Sequence, residues 1–261
     1  MAHGEVRLKL VLAYVGTRFS GWQIQGGAQE KTSRTVQGCL EKAVAAIVGK
    51  PVRVHGAGRT DAGVHALGQV AHFDIPKEKA SIDWQLALNG LLPGDVRVLE
   101  AGEVDPDFHA RFSAQSKIYT YNLWLTRRFV LPQRSRAVWV TGPLDLDAMA
   151  RGAALFLGER DFAAFQNQGT EVKSTVRKMY DISYSFRHTE PRAQEGLEVE
   201  WTLHASGFLK QMARNIMGCL VAVGKGKIPA EDIKVLLEKK DRTMAPATAP
   251  PQGLTMCQVL Y

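Results

Sequence analysis

From residue 6 the chain alternates Val6, Leu8, Leu10 and Leu12 with Arg7 and Lys9, the two-residue period of a half-buried strand over Val6–Tyr14. The stretch "YVGTRFSGWQIQGGAQEKTS" then loses all periodicity and reads as a long loop. The period changes to a helical one over Thr35–Val48, where Val36, Leu40, Val44, Ile47 and Val48 share a face that Gly49 and Pro51 terminate. Short apolar runs at Val52–His55 and Gln69–Phe73 read as strands on either side of a glycine-rich turn. Ser81 is placed to cap a helix over Trp84–Leu91, which "LPGD" ends.

A second series follows. Ile118–Leu125 reads as a strand, and Asp145 is placed to cap a helix running to Gly158. Tyr180–Arg187 and Leu197–His204 read as paired strands joined by the polar loop "HTEPRAQEG". A helix is expected over Phe208–Val223, with Phe208, Met212, Ile216 and Leu220 in line and Lys210, Gln211 and Arg214 off that line. Pro229 opens a last amphipathic helix burying Ile233, Leu236 and Leu237, and "APATAPPQG" leads into a terminal strand, Leu254–Tyr261. Strand–helix–strand–strand thus occurs twice, in halves 1–108 and 109–261, without the regular alternation of a doubly wound sheet. The expected class is α+β, with largely antiparallel sheets and helices packed on them.

Composition narrows the chemistry. With 261 residues, 45% apolar and 23% charged, the chain can bury a large core without staples. No apolar run approaches the roughly 20 residues of a membrane helix. The start "MAHGEVRLKL" lacks the basic, apolar and small-residue regions of a signal peptide, so the reading is cytosolic. Cys39, Cys219 and Cys257 lie far apart, with no zinc or disulfide spacing, and read as small hydrophobes. The net charge of +7 is unevenly spread. No acid lies between Phe108 and Leu144 or between Trp201 and Ala230, and between Lys42 and Phe73 the only one is Asp61. Such windows read either as a surface for phosphates or as a solvated basic face.

Asp61 sits in "HGAGRTDAGVHALGQVAHF". The stretch lacks the GxxxxGK[ST] of a P-loop and the GxGxxG register ahead of a helix. His55, His65 and His72, even with Asp61, match no common metal-ligand spacing, and each reads more simply as a satisfied structural histidine. Hydrolysis by paired carboxylates needs a second acid that the window does not supply. What remains is a solitary carboxylate acting as nucleophile or charge stabiliser, or a turn Asp with no chemistry. Arg59, two residues away on an extended segment, would point the same way, hold Asp61 ionised and grip a phosphate or base edge. The glycines would let a substrate backbone approach. A metal-dependent phosphohydrolase and a non-catalytic RNA-binding module are the competing readings.

"GRTDAGVHALGQVAHF" resembles the signature of the tRNA pseudouridine synthase A family. The likeness continues in order through "YVGTRFSGWQIQ", "TVQGCLEKA", "LNGLLPGDVRV", "FHARFSAQSKIYTY", "RDFAAFQ", "FLKQMARNIMGCL" and "TAPPQGL". It implies a pseudouridine-synthase fold of two α+β halves with the active-site cleft between them. It also implies an enzyme without metal or cofactor that isomerises uridine at positions 38, 39 and 40 of the tRNA anticodon stem-loop, as a homodimer holding one tRNA. By match to the motif Asp61 is the catalytic Asp, attacking C1′, adding to C6 or assisting glycal formation. The resemblance implies a target turned out of its stack. Arg59 would fill the vacated space or anchor the flipped nucleotide's phosphate. Tyr119 in "SKIYTY" matches an aromatic that stacks on uracil, its hydroxyl available to the C5 proton. Leu254 matches an apolar wall of the pocket, and Lys210 and Arg214 read as phosphate contacts or as a solvated helix face. The loop "RHTEPRAQEG" follows no family pattern, and "QNQGTEVKSTVRKM" matches only in "TVR".

Overall fold

The computed structural model describes residues 4–24, 34–169, 172–187 and 198–261. They form two compact units, one of 1–115 with 256–261 and one of 116–255.

In the first unit, strand β1 (Glu5–Tyr14) buries Leu8, Leu10, Leu12 and Tyr14, as the alternation requires. Helix α1 (Val36–Val48) starts where the Thr35 side chain accepts the Gly38 N–H and stops at left-handed Gly49. Strand β2 (His55–Gly56) is shorter than expected, and β3 (His65–Pro76) is longer. The reason is β1, which pairs with β3 from Glu5↔Pro76 to Tyr14↔Ala66 and so draws residues of the expected turn into the sheet. Helix α2 (Trp84–Leu91) is capped by Asp83 rather than Ser81: the cap must be the residue just before the first turn, and Asp83 accepts the Leu86 N–H at 2.9 Å. Strand β4 (Val96–Val104), which pairs antiparallel with β1, was not expected; it buries only Val96 and Val98, too few to give a periodic signal.

In the second unit, β5 (Ser116–Trp124) pairs with β6 (Trp139–Val140) in parallel. Helix α3 (Leu146–Ala154) is capped by Asp145 as expected but stops short of Gly158. After Ala154 its bonds tighten to i→i−3, and left-handed Gly158 opens β7 (Gly158–Asp161), a strand with no buried residue to reveal it. Strands β8 (Val176–Arg187) and β9 (Glu198–Ala205) pair antiparallel, and the expected loop between them, 188–196, lies outside the described residues. Helix α4 (Met212–Gly224) begins four residues later than the apolar line suggested, because Gln211 adopts φ 62° and breaks the ladder before it. Helix α5 (Asp232–Lys239) buries Ile233, Leu236 and Leu237. The last strand, β10 (Leu254–Leu260), gives its first two residues to this unit and the remainder to the first.

The sheet orders are β4-β1-β3-β10 in the first unit and β5-β9-β8-β7 in the second. The antiparallel pairings of β1, β3 and β4 and of β5, β7, β8 and β9 bear out the α+β expectation. None of the three cysteines is in a disulfide; Cys219 is buried, and Cys39 and Cys257 are half-buried.

Glu198 is fully buried at the start of β9 and is held by Arg134, whose Nε donates at 2.9 Å and whose Nη2 donates to the other carboxylate oxygen. Removing the cation leaves a buried carboxylate whose remaining ion-pair partner among the described residues is the more distant Arg187, at 3.9 Å. Arg134→Ala is therefore expected to cost about 3 kcal/mol, read as a lowered urea midpoint, with Arg134→Met combined with Glu198→Gln recovering most of it. An unchanged midpoint in the single variant would contradict the pairing.

Candidate active site

Asp61 lies in the turn 57–64 between β2 and β3. Its neighbours alternate as an extended segment should: Thr60 is buried, Arg59 is exposed and Asp61 is half-buried. Thr60 is the anchor. Its Oγ1 hydrogen-bonds the Tyr14 hydroxyl at 2.8 Å in the core, and its carbonyl accepts the Trp22 N–H at 3.0 Å. The Gln69 Nε2 donates to the Gly58 carbonyl at 2.7 Å and reaches the Tyr14 hydroxyl at 3.5 Å. Val64 closes the turn by donating its N–H to the Asp61 carbonyl, and His65 Nδ1 accepts the Gly16 N–H. Burial pushes the Tyr14 hydroxyl up to about 12, so at neutral pH it remains a neutral hydrogen-bonding group.

Two glycines of this stretch serve the protein's own packing. A Cβ on Gly56 would lie 2.5 Å from the Trp22 indole, and one on Gly68 would lie 2.2 Å from the Cys257 carbonyl oxygen. The close approach expected of a substrate backbone is made at these two positions by the chain itself.

The remaining candidates lie in the second unit. Tyr119 is in β5, 6% exposed, with its ring edge-on to Phe208 at 4.8 Å. Leu254 is the buried first residue of β10. Arg214 lies in the first turn of α4 and donates from Nε to the Ala249 carbonyl at 2.8 Å, while Ala249 returns its N–H to the Arg214 carbonyl. Arg214 thus holds the connector that leads to Leu254. Lys210 is exposed just ahead of α4, and its carbonyl accepts the Asn167 N–H.

Further residues fix that connector, and sequence reasoning missed them. Asn215 Oδ1 accepts from Thr248 at 2.7 Å and from Arg242 at 3.1 Å, while Asn215 Nδ2 donates to the Phe165 carbonyl. Arg242 also holds the carbonyls of Ala245 and Pro246. The available signal was a polar residue, Asn215, inside an otherwise apolar helix. Tyr14, Thr60 and Gln69 were missed because each looks ordinary until the fold brings them together.

The basic windows also change meaning. The buried Glu198 neutralises Arg134, and Arg53 and Lys50 lie 3.4 and 3.8 Å from Glu41 and Glu5, so acids distant in sequence stand beside cations that looked unopposed. Among the described residues no group of three or more His, Cys, Asp or Glu is arranged to hold a metal ion, and no helix is long and apolar enough to cross a membrane.

Comparison with known proteins identifies the family. The family model described as tRNA pseudouridine synthase matches residues 10–113 and 153–261. A tRNA pseudouridine synthase A of Maridesulfovibrio salexigens is 54% identical over 98% of this chain and 90% of its own length. That of Solidesulfovibrio magneticus is 55% identical over 98% and 91%, and that of Lawsonia intracellularis is 50% identical over 98% and 99%. A solved Cbf5–Nop10–Gar1 complex aligns with a TM-score of 0.33 at 14% identity, over 82% of this chain and 45% of that one, a likeness too loose to carry an argument. The family pattern spans both units and the relatives match almost end to end, so the chain belongs to the tRNA pseudouridine synthase A family, isomerases that form pseudouridine in tRNA.

Proposed function

We propose that the protein isomerises uridine at positions 38, 39 and 40 of the tRNA anticodon stem-loop, with Asp61 as the catalytic carboxylate acting on a flipped-out nucleotide. The observation that carries this reading is Asp61 itself. It is the only acid between Lys42 and Phe73, it lies in the family motif, and it is half-exposed on a turn anchored through Thr60. The reaction breaks N1–C1′, turns the uracil and joins C5 to C1′. The C5 proton leaves and N1 gains one, so atoms balance without a redox partner or activated donor. One carboxylate suffices to stabilise or capture C1′ while the base is detached, or to add to C6.

In this reading Arg59 occupies the space the base vacates or grips its phosphate. Tyr119 stacks on the uracil, an interaction worth ~1–3 kcal/mol. Leu254 supplies an apolar wall, and Lys210 and Arg214 contact phosphates. The positioning of Leu254 by the bonds between Arg214 and Ala249 supports a role for that connector in shaping the pocket. The protein acts in the cytoplasm as a homodimer, and its chemistry needs no cofactor or metal.

Incubation with an unmodified tRNA pool followed by chemical mapping should place pseudouridine at positions 38–40 and nowhere else. Asp61→Ala should lower turnover by more than about three orders of magnitude while tRNA affinity holds. Product from that variant, or modification confined to other positions, would overturn the assignment. Tyr119→Phe keeps the stacking ring and loses the hydroxyl. If the hydroxyl takes part in removing the C5 proton, kcat should fall by about 10²-fold at constant KM, and full activity would exclude that role.

A further inference from the structure

The first unit contains a cavity of about 350 Å³ whose lining includes none of the residues assigned above. Three imidazoles meet there. His72 on β3 stacks on His55 at 5.1 Å and packs edge-on to His109 at 4.6 Å. His72 is 2% exposed, whereas His55 lies at the surface.

Backbone bonds fix the tautomers of two rings. His72 Nδ1 accepts the Ala110 N–H at 3.1 Å, and His109 Nδ1 accepts the N–H groups of Arg111 and Phe112 at 3.1 and 3.3 Å. A backbone N–H only donates, so Nδ1 is the bare nitrogen in both rings and Nε2 carries the hydrogen. Burial, then the neighbouring His109, His55 and Arg7, push His72 down to about 4, and burial with His55 and Arg7 lowers His109, so both are neutral near pH 7. Neither Nε2–H has a hydrogen-bond acceptor among the described residues.

The charges around these donors favour an acceptor ligand. Arg7, Lys50 and Arg53 line the cavity against two carboxylates, Glu5 and Asp74. Asp74 is fully engaged by Arg7, with both of its oxygens bonded, at 2.7 and 2.9 Å. Lys50 and Arg53 are more than half exposed, and their pairs with Glu5 and Glu41 are long, so both can turn inward at little cost. A metal ion is the wrong occupant. Coordination through Nε2 would move the hydrogen to Nδ1, directly opposite a backbone N–H. A tetrahedral oxyanion instead offers several acceptors to two fixed ring donors and two mobile cations.

We propose that this cavity is a phosphate-group binding site, read by the Nε2–H groups of His72 and His109 and by Lys50 and Arg53. Its source is either a phosphodiester of bound RNA or free inorganic phosphate. The inference is independent of the role given to Asp61.

The full-length protein labelled with 15N-histidine is titrated at pH 7 with sodium phosphate and, separately, with sodium chloride at matched ionic strength. Saturable shifts of the His72 and His109 Nε2–H signals are expected with phosphate only. Arg53→Ala and Lys50→Ala, both at exposed positions, should each weaken phosphate by about fivefold or more. An equal response to chloride, no response, or unaltered affinity in both variants would overturn the proposal and leave these donors to water. Unmodified tRNA is then added to the phosphate-saturated protein. Displacement of phosphate with the same histidine signals shifted, and a salt slope reduced by about one in Arg53→Ala, assigns the source as RNA. Retention of phosphate beside bound tRNA assigns it as the free ion. No readout depends on turnover, so failure here and failure of the catalytic assignment are separable.

Discussion

A hydroxyl pair in the core of the first unit decides where Asp61 stands. Thr60 cannot leave the Tyr14 hydroxyl without stranding its own buried hydroxyl and leaving Tyr14 only the 3.5 Å contact from Gln69, and a buried polar group costs ~1–3 kcal/mol when unpaired. The flanking bonds reinforce that anchor, from Trp22 to the Thr60 carbonyl and from Gln69 to the Gly58 carbonyl. Because Thr60 points inward on an extended segment, Arg59 and Asp61 are directed away from the core. The carboxylate is thus carried by a backbone with little freedom, which is what a reaction dependent on placement requires.

The second unit applies the same logic to a different segment. The connector before β10 has no regular ladder of its own until Pro251, so side chains supply its bonds. Asn215 and Arg214 on α4, with Arg242, tie it down through Thr248, Ala249 and two further carbonyls. The Tyr121 hydroxyl adds a bond to the Pro250 carbonyl at 2.7 Å, and Gly253 lies flat against its ring, where a Cβ would approach to 2.6 Å. Polar groups buried in an apolar setting hold irregular backbone in both units, and both irregular segments carry residues of the family pattern.

Much of the fold was legible because apolar spacing is local. Strand β1 and helices α1 and α5 follow their buried faces closely. Boundaries failed where a distant partner overrode the local pattern: β1 lengthened β3, and Gln211 delayed α4 against its apolar line. Strands β4 and β7 escaped because edge strands with few or no buried residues carry little periodic signal. At the site, Asp61 stood out as the lone acid in a basic stretch, and the motif gave it a context. Tyr14, Thr60 and Gln69 did not stand out, since a pairing between residues 46 positions apart leaves no local trace. The charge windows misled for the same reason, as Glu198 neutralises Arg134 from 64 residues away.

The buried hydroxyl contact between Tyr14 and Thr60 sets the position of Asp61. Thr60→Val removes the hydroxyl while keeping the shape of the side chain, and single-turnover kinetics on tRNA, measured alongside the tRNA dissociation constant, isolates its effect. The rate of pseudouridine formation is expected to fall by about tenfold or more with tRNA affinity unchanged. A wild-type rate in a folded Thr60→Val protein would contradict the claim.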